Sequence, residues 1–333
     1  MSVALLDIED LQVRFATENG ELSAVNGVSF SVAAGETLAI VGESGSGKSV
    51  TAMSILRLLK SPPAHISGRA LFGGKNLFAL AEPQMRRIRG NKIGMIFQEP
   101  MSSLNPVIAV GAQIAESVRL HQGVPRARAR ARALDLLSRV GIPAPERRMR
   151  EYPHQLSGGM RQRVMIAIAL ACNPELLIAD EPTTALDVTV QAQILDLMRA
   201  LKAELGSAII LISHDLGVVA EIADRVAIMY AGRIVEQGTV RRILTAPMHP
   251  YTKGLLGAVP QLRASACPCD AQRPRLAEIP GVVPSPCERI VGCAFAPRCA
   301  HSSSVCLTTA PPTVVTSPDH QVACHHAERR SAA

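Results

Sequence analysis

The run Gly42-Glu43-Ser44-Gly45-Ser46-Gly47-Lys48-Ser49 constrains this chain more than any other segment. Gly42, Gly47 and the Lys48-Ser49 pair occupy the fixed positions of a phosphate loop, a device that works only where a strand enters the loop and a helix leaves it. Thr37 to Val41 is a short apolar run of strand character, and Ser49 to Leu59 has helical spacing. Strand, loop and helix in this order predict a parallel sheet layered with helices, the loop lying at a strand's carboxyl end. In such a loop the backbone N–H groups turn toward a β-phosphate and the helix start adds partial positive charge. Lys48 would then bridge β and γ oxygens, and Ser49 would ligate Mg²⁺.

Composition agrees with that layering. The chain has 333 residues, 47% hydrophobic and 19% charged, which excludes a collagen-like, coiled-coil or disordered polymer. Aromatics make up 3% and Trp is absent, so the core must be built from Ala, Val, Leu, Ile and Met, which suits helices on a parallel sheet better than a β-sandwich. No run of 18 or more apolar residues is present, so a soluble or peripheral protein is expected. Asp7, Glu9 and Asp10 interrupt the N-terminus before a signal-peptide core could form, so export is not expected. A net charge of +7 is compatible with nucleic acid, an anionic membrane face or no specific partner.

Cysteine divides the chain. Cys172 stands alone in the first 260 residues, and the other seven fall in the last 67, in a segment rich in Pro and Ser. A boundary is expected between residues 240 and 255, giving regions 1–250 and 251–333. In the first region, Leu5 to Phe15 alternates like a strand, Gly20 marks a turn, and a second strand pair lies around Ala24 to Val32. Met101 to Arg150 reads as mostly helical, with Arg126, Arg128, Arg130 and Arg132 spread around a helix surface. Leu176 to Ala179 and Ala208 to Ile212 are further apolar strands ending in polar residues.

Two more motifs carry chemistry. The strand Leu176 to Ala179 delivers Asp180 toward the Mg²⁺ shell, and Glu181 follows as a carboxylate able to polarise an attacking water. Leu156-Ser157-Gly158-Gly159-Met160 precedes a helical stretch, Arg161 to Ala171, and offers Ser and Gly backbone at a helix start to an anion.

The phosphate loop, Gln98, the Leu156–Met160 run, Asp180-Glu181, Ala185-Leu186-Asp187 and His214 occur in the order and spacing of an ABC ATPase cassette, which residues 3 to 245 resemble. The resemblance implies an α/β fold: a RecA-like parallel-sheet core, an antiparallel β subdomain, and a helical signature subdomain at about residues 99–163. It implies a head-to-tail dimer sandwiching two ATPs between the phosphate loop (Gly42 to Ser49, with Val50 beginning the helix) of one subunit and Ser157, Gly158 and Gly159 of the other. By the same resemblance, Glu181 is the general base and His214 the γ-phosphate contact. Gln98 touches Mg²⁺ and senses the membrane partner, Asp187 crosses to the opposite site, and Phe15 stacks on adenine. Met160 stands where the commonest signature has Gln, with the Ser and Gly intact.

The match narrows with Gln98-Glu99-Pro100-Met101-Ser102-Ser103-Leu104-Asn105-Pro106 and His249-Pro250-Tyr251-Thr252, which resemble the ATP-binding subunits of bacterial oligopeptide and dipeptide importers over nearly the whole chain. Glu99 replaces the usual Asp. This implies a cytoplasmic-face peripheral subunit with a related ATP-binding partner, two membrane-spanning permease subunits and an extracytoplasmic binding protein, and no nucleic acid. Cargo selectivity would reside in the permease and binding protein.

In the tail, Cys293-x5-Cys299-x6-Cys306-x17-Cys324 supplies the four thiols that a structural Zn²⁺ or a [4Fe–4S] cluster requires, and spacing does not separate the two. The importer subunits sharing Gly292 to Cys299 and His320 to His325 look like [4Fe–4S] binders, so resemblance implies the cluster, which would staple the tail. Cys267, Cys269 and Cys287 are expected as unliganded thiols and Cys172 as a core residue. His301, His325 and His326 could substitute as zinc ligands, and are expected instead as surface histidines beside the metal knot. Two other readings stand beside the importer: a soluble ABC ATPase acting on nucleic acid or the ribosome, suggested by the charge, and an ATP-using redox sensor, suggested by the tail.

Overall fold

The computed structural model describes residues 4–18, 20–184, 187–258, 278–285, 287–288 and 290–327. Cys267 and Cys269, and Ala185-Leu186, lie outside them.

In chain order the strands are β1 (Ala4–Thr17), β2 (Gly20–Ala33), β3 (Thr37–Val41), β4 (Ala64–Phe72), β5 (Lys75–Asn76), β6 (Ile93–Ile96), β7 (Leu176–Asp180), β8 (Ala208–Ser213), β9 (Arg225–Tyr230), β10 (Arg233–Thr239), β11 (Thr313–Ser317) and β12 (His320–Ala323). They form two sheets, an antiparallel one ordered β2-β1-β4-β5 and an eight-stranded one ordered β11-β12-β10-β9-β3-β8-β7-β6. β6, β7, β8, β3 and β9 pair in parallel. Every residue of β3, β7 and β8 is buried, as a parallel strand covered on both faces requires.

Period-2 geometry then divides each central strand between two cores. Leu38, Ile40, Ile178, Ile210 and Ile212 join the cluster beneath the antiparallel sheet, where Leu6, Ile8, Leu11 and Val13 of β1 pack. Ala39, Val41, Leu177, Ala179, Ile209 and Leu211 face the helices on the other side. The cores are mostly aliphatic, as the shortage of aromatics demands, with Phe30 and Phe72 on one side and Tyr230, Tyr251 and Phe295 on the other.

The helices Val110–Gln122, Arg126–Arg139 and Gly158–Ala169 pack together as a helical unit. The arginine run behaves as its spacing predicts: Ala129, Ala133, Leu136 and Leu137 are buried, while Arg126, Arg128 and Arg130 are exposed. Arg132 bonds Asp135 at 2.8 Å and Asn173 at 2.6 Å.

Two helix boundaries differ from the sequence expectation. The helix after the phosphate loop ends at Ile55 rather than Leu59, because Arg57 turns left-handed (φ 51°) and Arg89 takes the carbonyls of Leu56 (2.6 Å) and Arg57 (3.1 Å). The signature helix starts at Gly158 rather than Arg161, with Ser157 as its cap, accepting from Met160 N at 3.3 Å.

The C-terminal segment is stitched into the main sheet. β12 pairs antiparallel with β10, Glu236 opposite Val322 and Gly238 opposite His320, and β11 closes a hairpin on β12. Beneath this junction Glu236 and His320 form a pair at 2.7 Å with side chains 0% and 4% exposed. Glu236 also accepts from the backbone N–H of Met248 (2.7 Å) and His249 (3.0 Å). Phe295 enters the helix-side core and meets the rings of Tyr230 and Tyr251.

Candidate nucleotide site

The phosphate loop joins β3 to the helix Lys48–Ile55, as expected. Its glycines are imposed by crowding. A Cβ at Gly42 would lie 2.1 Å from the Met229 carbonyl oxygen, and Gly47, at φ +98°, has the Ala24 carbonyl 2.5 Å from where a Cβ would stand. The loop therefore sits directly on β9 and β2. Ser44 and Gly45 are exposed at its tip, while Val50 is half-buried against the β-side core.

Lys48 is buried, and its Nζ donates to the carbonyls of Gly42 (2.8 Å) and Glu43 (2.9 Å) and to Ser46 Oγ (3.5 Å). Burial pushes its ammonium below the ordinary lysine range, opposed by the charges of Glu181, Asp180 and Glu43. Ser49 Oγ donates to Asp180 Oδ1 at 2.9 Å, so the two expected Mg²⁺ ligands already touch. Burial raises the Asp180 carboxyl, Ser49 counters it, Glu181 adds to it, and Lys48 opposes it.

Glu181 is the hub. It adopts a left-handed backbone (φ 47°), rare for a residue with a Cβ, and its N–H donates to Ile212 O at 3.0 Å across to β8. Its Oε2 accepts from Gln98 Nε2 at 3.3 Å and from Thr184 Oγ1 at 2.9 Å, and lies 3.4 Å from His214 Nδ1. One carboxylate oxygen thus gathers residues from the ends of three successive parallel strands, β6, β7 and β8. Gln162 Nε2, on the signature helix, donates to Pro182 O at 2.6 Å and ties that helix to the loop after Glu181.

Lys48, Ser49, Asp180, Glu181, Gln98 and His214 therefore converge. Other expected site residues stand apart. Ser157 and Gly158 are exposed at a helix start, and no hydrogen bond among the described residues joins them or Gly159 to the phosphate loop. Asp187 caps the helix Val188–Leu205 through Val190 N at 3.0 Å. Phe15 is half-buried on the β-side core, whereas its neighbour Arg14 lines a cleft of about 500 Å³ beside Gly45. Thr184 was not anticipated, although a hydroxyl three residues after a strand-end carboxylate is a readable signal. Tyr251 and Arg298, which hold Glu43, were not anticipated either.

A cassette ATPase is the class this fold and site define: a phosphate loop on a parallel sheet, an Mg²⁺-ready Ser-Asp pair, and a carboxylate facing a glutamine and a histidine. Residues 25–184 match the family described as ABC transporter, and residues 235–306 match the oligopeptide/dipeptide transporter, C-terminal region. The chain belongs to the ATP-binding subunits of bacterial peptide ABC importers, and it is an ATPase. It is 55% identical over 321 residues to a probable peptide ABC transporter ATP-binding protein of Sinorhizobium fredii, covering 96% of this chain and 94% of that one. A putative peptide import ATP-binding protein of Brucella abortus is 53% identical over 326 residues, 96% of each. Among solved structures, the dimeric post-hydrolysis state of the ATP-binding cassette MJ0796 bound to ADP and Pi superposes with a TM-score of 0.64 at 28% identity, over 71% of this chain and 99% of that one. A cassette from Clostridium perfringens, cbiO1, part of the ABC transporter complex cbiONQ, gives 0.60 at 30%, over 73% and 91%. No helix of the described residues is long and apolar enough to cross a membrane.

The tail corrects one expectation. Cys293, Cys299, Cys306 and Cys324 do line one cavity, together with His249, His301, His325 and His326, so the last three lie beside the thiols. Its volume is about 10 Å³, room for at most a single water. Among the described residues no group of three or more His, Cys, Asp or Glu side chains is placed to hold a metal ion. Burial raises the Cys293 thiol, and the other three sulfurs raise it further. His326 Nε2 stands 3.0 Å from Ser303 Oγ and 3.7 Å from Cys306 Sγ. This packing gives no support to a [4Fe–4S] cluster, which is far larger than the space between the thiols. Cys287 is exposed, and Cys172 is buried as expected, with Sγ donating to Ser117 O at 3.6 Å.

Proposed function

We propose that this chain is the energy-coupling ATPase of a dipeptide or oligopeptide importer, acting at the cytoplasmic face of the membrane as half of a head-to-tail nucleotide sandwich. Its counterpart is a related ATP-binding subunit, and the pair drives two permease subunits fed by an extracytoplasmic binding protein. The observation that carries the reading is the single oxygen Glu181 Oε2, shared by Gln98, Thr184 and His214 at 3.3, 2.9 and 3.4 Å.

The mechanism follows from these positions. Lys48, now on the carbonyls of its own loop, swings to the β and γ oxygens when ATP arrives. Ser49 and Asp180 would hold Mg²⁺, which neutralises charge developing on the phosphates. Glu181 accepts the proton of the attacking water, and its left-handed backbone aims the carboxylate at the γ-phosphate side. His214, 62% exposed, reaches the γ-phosphate and keeps water and base in line. Ser157 and Gly158 face solvent at a helix start, so they are available to complete the opposite site, with Asp187 bridging the two. Phe15 is the adenine-stacking aromatic in this reading.

Glu181→Gln in the assembled transporter tests it. ATP binding should persist while hydrolysis falls by on the order of 10²–10³-fold, the loss typical of removing a principal catalytic group. Hydrolysis at the wild-type rate would refute the assignment of the base.

A further inference from the structure

The C-terminal segment reaches back to the phosphate loop through Arg298. This side chain, 5% exposed, lies on the turn Ala296–Arg298. The tail fixes it at two points: Nε donates to Pro280 O at 2.8 Å and Nη2 to Ile279 O at 3.1 Å. Gly281, at φ +80°, leaves room for the arm, since a Cβ there would stand 3.1 Å from Arg298 Cγ. Nη1 alone is directed at the cassette. It donates to both carboxylate oxygens of Glu43, at 3.1 and 3.0 Å, and approaches Tyr230 Oη at 3.4 Å. The guanidinium also lies 5.8 Å from the Tyr230 ring centre and 5.9 Å from that of Phe295.

Glu43 is the second residue of the phosphate loop, and each of its polar groups is engaged. Its N–H donates to Tyr251 Oη at 2.9 Å, its carbonyl accepts from Lys48 Nζ at 2.9 Å, and its carboxylate belongs to Arg298. Two of these three partners come from beyond residue 250. Lys48 Nζ thus rests on the backbone of the residue that carries this carboxylate. An anion in that place, left without a partner, would compete with ATP for Lys48 and repel the incoming phosphates.

We propose that Arg298 is a positioning residue for ATP: it neutralises the Glu43 carboxylate and holds it away from Lys48, so that the packing of the C-terminal segment sets the phosphate affinity of the loop. The proposal rests on the phosphate loop being the ATP site. It makes the segment part of the nucleotide machinery, and the residues Pro284, Ser285 and Ile290 that wall the cleft beside Gly45 extend the same contact.

The test is calorimetric titration of the full-length chain with Mg-ATP, paired with melting curves without nucleotide. Arg298→Gln leaves Glu43 unpaired and should weaken ATP binding about tenfold, the size of one lost charged hydrogen bond. Arg298→Lys keeps a positive partner, and Glu43→Gln with Arg298→Gln removes the anion; both should bind within about threefold of wild type. Wild-type affinity in Arg298→Gln overturns the proposal. So does a double variant as weak as Arg298→Gln, because the loss would then come from tail packing rather than charge. If Arg298→Gln does not fold, tenfold weakening in Arg298→Lys at an unchanged melting temperature overturns it equally. A wild-type chain that binds no ATP refutes the nucleotide site itself, and a Lys48→Ala control separates that failure from this one.

Discussion

Ser49 Oγ and Asp180 Oδ1 are 2.9 Å apart across 131 residues of sequence, so the two expected Mg²⁺ ligands are assembled by the fold before nucleotide arrives. Burial raises the Asp180 carboxyl, which makes its ionised form a cost to the folded state. A raised carboxylate favours folding below its unfolded pKa, and that stability is lost as pH rises through the folded value. Asp180→Asn should therefore raise the melting temperature of the nucleotide-free chain at neutral pH by about 2–4 °C per kcal/mol relieved. The same change should abolish Mg-dependent hydrolysis. An unchanged or lower melting temperature would contradict the first half.

His214→Ala removes the neighbour of Glu181 Oε2 while touching a side chain that is 62% exposed. Folding stability should move by less than about 0.5 kcal/mol. Turnover in the assembled complex should nevertheless fall by on the order of 10²-fold. Comparing steady-state hydrolysis with a denaturation curve separates the two effects.

Ser157→Arg places a bulky cation on an exposed helix start that has no bond to its own phosphate loop. Each chain should still bind ATP normally, because Lys48, Ser49 and Asp180 are untouched. Dimer-dependent hydrolysis should disappear. A matching loss of binding by the single chain would show that the signature serves its own subunit.

The Glu236–His320 pair governs how the C-terminal hairpin is held. Burial alone would raise the Glu236 carboxyl, but His320 and the N–H groups of Met248 and His249 bring the balance below the ordinary range. A depressed carboxylate contributes stability above its unfolded pKa and loses it as pH falls through the folded value. Acidification below about pH 4.5 should thus release the hairpin, seen as faster amide exchange in β12. His320→Ala leaves the carboxylate on the N–H groups of Met248 and His249 alone and should cost about 1.5–3 kcal/mol, the size of one hydrogen bond to a charged group.

Local motifs were legible because each confines its chemistry to a few consecutive residues. Gly42 to Ser49 and Asp180-Glu181 announced their strands and loops, and the structure places Lys48, Ser49, Asp180, Gln98, Glu181 and His214 together. The C-terminal segment was harder. Its Pro-rich composition suggested a knot needing a metal, yet it is anchored by backbone pairing to β10, by Glu236 and by the Tyr230–Tyr251–Phe295 contacts. Those partners are distant in the chain, 84 residues for Glu236 and His320, and no short pattern encodes them. The four thiols converge as their recurrence suggested, but around a space no larger than a single water. No local pattern marks Arg298, between Pro297 and Cys299, as a partner for the phosphate loop, and nothing in Gly42 to Ser49 says that Glu43 needs a distant cation.

The pairing of β12 with β10 also protects the molecule from its own kind. Without it, β10 would present a row of unsatisfied N–H and C=O groups to any passing chain, the usual template for sheet-to-sheet aggregation. The position is passed outward to β11, five residues long and flanked by Pro311, Pro312 and Pro318, which cannot donate to a further ladder. A cassette cut after Ala258 would keep every residue around Glu181 and yet expose that row, so a chain truncated there should aggregate where the full chain does not.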